Sequence, residues 1–300
     1  MASTQTIKRR IKSAQNISQI TRAMQMVAAS KMKKAQDQAL ASKAYTQKLQ
    51  EVLASLLTSS TRLDHPFLKK RLNPDKAVLV ITTNKGLCGA LNTNHFRSLN
   101  TWLKTQGLDR LQFITVGKKG REFLVKRGAN MVADFSEDIP DPLTFEATLP
   151  ATHFLLDLFR KREVGEVFIS YTDFVSTLSQ KPKKVKLLPI QEEALKEALG
   201  LLHDLGQSEK TTFYSKEYLI EPSAKKIINW LLPYFVELEV YHVILESMAS
   251  EHSARMVAMK NASENAKDLV GQLQLVYNKA RQQQITTEIS DIVTAWKSLQ

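Results

Sequence analysis

The chain has 300 residues, 43% of them apolar, enough to bury a sizeable core in one large domain or two small ones. Its 42 lysines and arginines outweigh 30 aspartates and glutamates, a formal net charge of +12 that points to an anionic partner: nucleic acid, a membrane surface or an acidic protein. A single cysteine excludes an internal disulfide and a cysteine-based zinc site, and no apolar run approaches the roughly 20 residues of a membrane span.

The opening, MASTQTIKRRIK, is basic but lacks the apolar stretch of a secretory signal, and the helical pattern it begins reads as structure rather than a transit peptide. No proline occurs before Pro66 and no glycine before Gly86. A long N-terminal helix is therefore predicted within 1–65, with an apolar stripe through Ile7, Ile11, Ala14, Ile17, Ile20, Met24 and Val27. This helix carries much of the charge, with ten cations against Asp37 alone in residues 1–50. From 66 to 222 the pattern alternates. Strands are expected at Ala77–Thr82, Leu111–Val116, Met131–Phe135, Glu166–Tyr171 and Lys183–Pro189. Helices are expected at His95–Gln106, Arg121–Lys126 and Phe145–Arg162. This βαβ alternation predicts a Rossmann-like α/β body, with 190–222 as a peripheral insertion. After Pro233 only Gly271 interrupts the pattern. A second long helix is predicted within 223–300, its stripe including Leu238, Leu245, His252, Met259, Ala266, Leu269, Leu273, Val276 and Ala280. Helices of 55–60 residues would be roughly 80–90 Å long, far beyond the ~19 Å radius of gyration of a compact 300-residue chain. The expected fold is thus α/β, a long antiparallel coiled coil of the N- and C-terminal helices plus a Rossmann-like body.

The stretch ITTNKGLCGALNTN (Ile81–Asn94) places two glycines after a strand, where an anion-binding loop could form. Neither GxxxxGK[ST] nor GxGxxG is present, so a turn that needs positive φ is favoured over a nucleotide site. Cys88 is favoured as a small apolar filler over a nucleophile. The six histidines are dispersed, Glu251-His252 is not part of HExxH, and Asp138 and Asp141 lie in the loop DIPDP. No catalytic residue, cofactor or metal is expected. The residues alone lead to a basic rod on an α/β body, with a mechanical, scaffolding or nucleic-acid-binding role.

Three segments together resemble the gamma subunit of F-type ATP synthases. They are IKRRIKSAQNISQITRAMQMVAASKMKKAQ (Ile7–Gln36), NKGLCGALN within the glycine loop, and the segment from Ser250 to Val293. The resemblance implies a non-catalytic central rotor shaft. Its coiled coil would stand inside a ring of alpha and beta subunits, and its body would sit against epsilon and the c-subunit ring. It would be peripheral, at the cytoplasmic face of a bacterial cell membrane. It further implies that Arg22, Met24 and Lys31 lie on the helix face passed by levers of the beta subunit. Lys85 and Cys88 would lie in a loop near the same levers, and Arg281, Gln282 and Thr286 would contact alpha or beta loops. Asn84 stands where the family usually has Asp, and Ala90 replaces a glycine. The ending TAWKSLQ also departs from the small-residue tail expected of the family.

Overall fold

The structure is a computed structural model that describes residues 4–59, 65–190 and 223–297. All but Ile190 of the expected insertion, and the last three residues of the tail, lie outside the described residues. The elements in chain order are α1 (Thr4–Ser59), β1 (Lys76–Ile81), α2 (Leu91–Gln106), β2 (Leu111–Val116), α3 (Lys118–Val125), β3 (Met131–Asp134), α4 (Phe145–Arg160), β4 (Glu166–Phe174), β5 (Gln180–Leu188) and α5 (Ala224–Lys297). The chain divides into two compact units, residues 1–30 with 255–300, and residues 31–254. The division runs through both long helices, so the part of α1 after Ser30 and the part of α5 before Arg255 are grouped with the sheet.

In the first unit α1 and α5 run antiparallel. Thr4 Oγ1 donates to Gln284 Oε1 at 3.2 Å, and fourteen residues later on α1 Ser18 meets Ser263 further back on α5. Each serine hydroxyl also reaches the other helix's backbone, Ser18 Oγ to Ser263 O at 3.3 Å and Ser263 Oγ to Ser18 O at 3.2 Å. In this unit the buried positions of α1 are Ile7, Ile11, Ala14 and Ala28, with Ser18 and Thr21 half-buried between them. These positions step by four and three, the 3.5-residue period of a coiled-coil seam. The expected stripe holds at Ile7, Ile11 and Ala14 and is corrected beyond them. Ile17, Ile20 and Val27 are exposed (Ile17 by 53%), because a seam built from Ala and Ser passes beside them. On α5 the seam runs through Met259, Ser263 and Ala266, while Leu269 and Val276 face outward.

The second unit holds a five-stranded sheet in the order β3-β2-β1-β4-β5. β1 to β4 are parallel and β5 is antiparallel to β4. β1 is sandwiched on both faces, which explains its unbroken apolar run. Val78 and Val80 pack with Leu99, Leu103 and Leu124 of α2 and α3. Ala77, Leu79 and Ile81 pack with Leu155, Phe159 and the inner part of α5, including Val236, Val240 and Ile244. α2 begins at Leu91, a turn earlier than the expected His95, since NKGLCGA hides the helix start behind turn residues. Ser42 of α1 meets Nδ1 of His242 of α5 at 3.3 Å, so within this unit too the two helices lie side by side.

Candidate functional site

The carboxyl ends of β1 and β2 are where an α/β sheet ordinarily holds an anion, at the amino terminus of a following helix. Here that position is α3, and the protein closes it with its own groups. Gly117 N–H donates to Ser136 Oγ (3.0 Å), Lys118 N–H to Asn84 Oδ1 (2.9 Å), Lys119 N–H to the Thr83 carbonyl (3.1 Å) and Gly120 N–H to Thr82 Oγ1 (2.8 Å). All the donors a phosphate would use are taken. The fit leaves no room for a side chain at Gly117, where φ is +110° and a Cβ would fall 2.1 Å from the Thr82 carbonyl oxygen. Asn84 also donates its Nδ2 to the Ser136 carbonyl at 2.9 Å. An amide can donate and accept at once, which an aspartate cannot, and this is the physical content of the departure at that position.

The glycine loop is folded inward at Cys88 and outward around it. Cys88 is 3% exposed, with its Sγ 3.4 Å from Asn92 Nδ2, and Asn92 also donates to Thr83 Oγ1 at 2.7 Å. Its side chain thus fills the loop and faces no surface. Lys85 is exposed, and its carbonyl accepts from Thr83 Oγ1 at 2.8 Å. Leu87 is 62% exposed and sits at φ +62°, a conformation that a branched apolar residue adopts only under constraint.

On α1, Arg22 is exposed and Met24 half-buried, within the first unit. Met24 is flanked by the exposed Ile20 and Val27, so the later part of the sequence stripe, from Ile17 on, is instead an outward apolar line. Its spacing was visible in the sequence, but two adjacent stripes of near-equal period cannot be told apart without the partner helix. Lys31, in the second unit, makes an ion pair with Asp141 at 2.8 Å, and Asp141 also lies 3.4 Å from His252 Nε2. Asp141 of DIPDP is thereby a structural anion. On α5, Arg281, Gln282 and Thr286 are exposed, with Thr286 Oγ1 bonded back to the Gln282 carbonyl at 2.9 Å. Beyond them Ile285, Ile289, Ile292 and Trp296 are exposed at spacings of four and three. Of the predicted contact residues, Arg22, Met24, Arg281, Gln282 and Thr286 belong to the first unit and Lys31, Lys85 and Cys88 to the second.

The ATP synthase family model matches residues 3–299. The chain is 46% identical over 297 residues to the ATP synthase gamma chain of Dehalococcoides mccartyi strain CBDB1, and 42% identical to that of Cupriavidus necator, covering 98% of both chains in each case. Its fold matches a chain of the Euglena gracilis mitochondrial ATP synthase OSCP/F1/c-ring assembly with a TM-score of 0.65 at 20% identity, over 99% of this chain and 94% of that one. It also matches a chain of the central stalk and c-ring of the Tetrahymena thermophila mitochondrial ATP synthase, with a TM-score of 0.55 at 24% identity, over 81% and 99%. Antiparallel terminal helices, an α/β sheet with its anion site closed, and relatives aligned over nearly every residue lead to one assignment: the chain belongs to the ATP synthase gamma-chain family.

Proposed function

We infer that the chain is the central rotor shaft of an F-type ATP synthase and carries no catalytic site of its own. Rotation of the c-subunit ring would turn it inside the ring of alpha and beta subunits, where ATP is made or hydrolysed. The observation that carries the reading is α5. It is a continuous 74-residue helix with a contour of about 110 Å, and near its end Ile285, Ile289, Ile292, Val293 and Trp296 are exposed. Solvated Ile and Trp in that number signal a surface for another protein. A helix pair has no threefold symmetry, so three chemically identical sites around it must experience different contacts at any instant. A conformational drive requires such differential contact.

Met24 with Ile20 and Val27, and Arg22 beside them, form the α1 surface passed by the beta levers. In the glycine loop Lys85 and Leu87 make the contact, with Cys88 supporting them from inside. Arg281, Gln282 and Thr286 contact alpha or beta loops, and Lys31 alternates between Asp141 and the passing subunit. The body meets epsilon and the c ring, which puts the chain at the cytoplasmic face of a bacterial membrane. The +12 charge serves these contacts rather than nucleic acid.

Affinity isolation of the chain from gently solubilised membranes tests this. Co-purification of alpha and beta subunits in threefold excess, with ATP hydrolysis, is expected. Recovery of the chain alone, or with nucleic acid, overturns the reading.

A further inference from the structure

The parallel strands β1 and β4 lie side by side, Val80 beside Ser170, and leave the sheet at the same end. β1 opens there into the glycine loop, 82–90, while β4 runs on to Phe174 and turns through 175–179 into β5. β5 then returns to the start of β4, where Leu188 pairs with Val167, so the described chain stops after Ile190 at the opposite end of the sheet.

The turn between β4 and β5, VSTLS, is closed by its own hydrogen bonds. Ser176 N–H donates to the Ser179 carbonyl (2.9 Å) and Ser179 N–H to the Ser176 carbonyl (3.2 Å), the paired bonds of a tight hairpin with Thr177 and Leu178 at its tip. Gln180 Nε2 donates to the Ser176 and Thr177 carbonyls at 3.1 and 3.0 Å. The fully buried Ser253 of α5 donates its Oγ to the Thr177 carbonyl at 2.8 Å, so the tip is fastened to the long helix as well. On this fixed support Val175 is 53% and Leu178 81% exposed, and Leu87 of the glycine loop is exposed at the same end. A single exposed leucine is ordinary, but three large aliphatic side chains held in water by constrained turns on adjacent strands make a contact surface. The two loops carry Lys85 and no acidic residue. Such a surface fits an apolar partner face flanked by carboxylates.

We propose that the β4–β5 turn is a second docking point for the beta subunit, with Val175 and Leu178 seated beside Leu87 against an apolar, acid-flanked face of that subunit. The proposal rests on the shaft reading and extends the contact of the glycine loop to the neighbouring strand. Because Ser253 holds the turn, a push received at its tip reaches α5 through a hydrogen bond rather than through the whole sheet.

The test is photocrosslinking in the assembled complex. Leu178→Cys, labelled with a benzophenone maleimide and irradiated during ATP hydrolysis, should give an adduct between this chain and the beta subunit. Cys88 is buried and stays in place, and the labelled parent chain gives the background. Thr101→Cys, at an exposed position of α2, should give no beta adduct. The double variant Val175→Ser, Leu178→Ser should keep the thermal melt of the isolated chain and raise about tenfold the concentration of alpha and beta subunits needed for half-assembly. Co-isolation of alpha and beta subunits with the parent chain checks the shaft reading separately, and its failure removes that reading and this proposal together. With the parent complex intact, no adduct from Leu178→Cys, an adduct to a subunit other than beta, or an equal beta adduct from Thr101→Cys overturns the proposal and leaves the shaft reading standing. An unchanged assembly curve for the double variant does the same.

Discussion

At the residue scale, two buried groups set measurable behaviour. Gly117 cannot carry a side chain, because its Cβ would strike the Thr82 carbonyl and its φ is strained for any L-residue. Gly117→Ala should cost about 3 kcal/mol or more, read by urea unfolding. His95 is buried against Ser170, its Nε2 2.8 Å from Ser170 Oγ, and burial lowers its pKa to about 4 from the ordinary imidazole value of 6.5. The folded state therefore resists a proton that the unfolded chain accepts. Stability is full above pH 6.5 and is lost as pH falls from there to about 4, by about 3 kcal/mol. Unfolding free energies measured across that window should show the slope in the parent. His95→Gln should reduce it, leaving the contributions of the other shifted groups, among them His65, whose pKa is lowered by burial and then by Arg160, and Glu239, whose pKa is raised by burial. Neither effect was readable from the chain alone. A glycine in GKKG and a histidine in a helix are ordinary until their neighbours are known.

At the scale of the element, α1 carries two apolar stripes with opposite tasks. The seam is lined by Ala14, Ser18 and Ala28, small enough for close approach of a second helix, and the outer line by Ile17, Ile20 and Val27. Ala28→Leu should overpack the seam and destabilise the chain by about 1–3 kcal/mol, seen as a lower melting temperature. Ile17→Ser should leave the melt of the isolated chain within about 0.5 kcal/mol and instead weaken assembly with alpha and beta subunits, measured by co-isolation. A reversed pattern would exchange the two stripes. Periodicity identified the helix and its amphipathic character. It identified the buried side through Ile7, Ile11 and Ala14 but lost it beyond them, because Ile and Val outweigh Ala and Ser on any hydrophobic scale, whereas close helix packing there selects the smaller residues.

At the scale of the whole molecule, the proposed contact residues, spread over α1, the glycine loop and α5, imply that coupling can fail while assembly survives. Met24→Lys places a cation among Ile20, Val27 and Arg22, on the surface proposed to pass the beta levers. Complexes with this variant should form and hydrolyse ATP, yet pump fewer ions per ATP in membrane vesicles. Unchanged pumping would remove Met24 from that surface. The ion pair of Lys31 with Asp141 belongs to the same scale, since it ties α1 to the loop between β3 and α4. Asp141→Asn should free Lys31, and because Asp141 also faces the buried His252, the cost read by urea unfolding should exceed the about 0–1 kcal/mol of an exposed pair.

Helix breakers absent from both ends, βαβ alternation between them, and the specific segments around Ile7–Gln36, the glycine loop and Ser250–Val293 determined the fold class and the family from sequence alone. Those features are local, or are carried by residue identity, and need no three-dimensional neighbour to be read. Tertiary structure decided which stripe of α1 is seam, that Cys88 points inward while Leu87 points outward, that Thr82, Asn84 and Ser136 fill the anion site, and that the glycine loop and the β4–β5 turn share one end of the sheet. Each of these depends on residues far apart in the chain, brought together by parallel strand pairing and helix packing, and such proximity is not encoded in any single stretch of sequence.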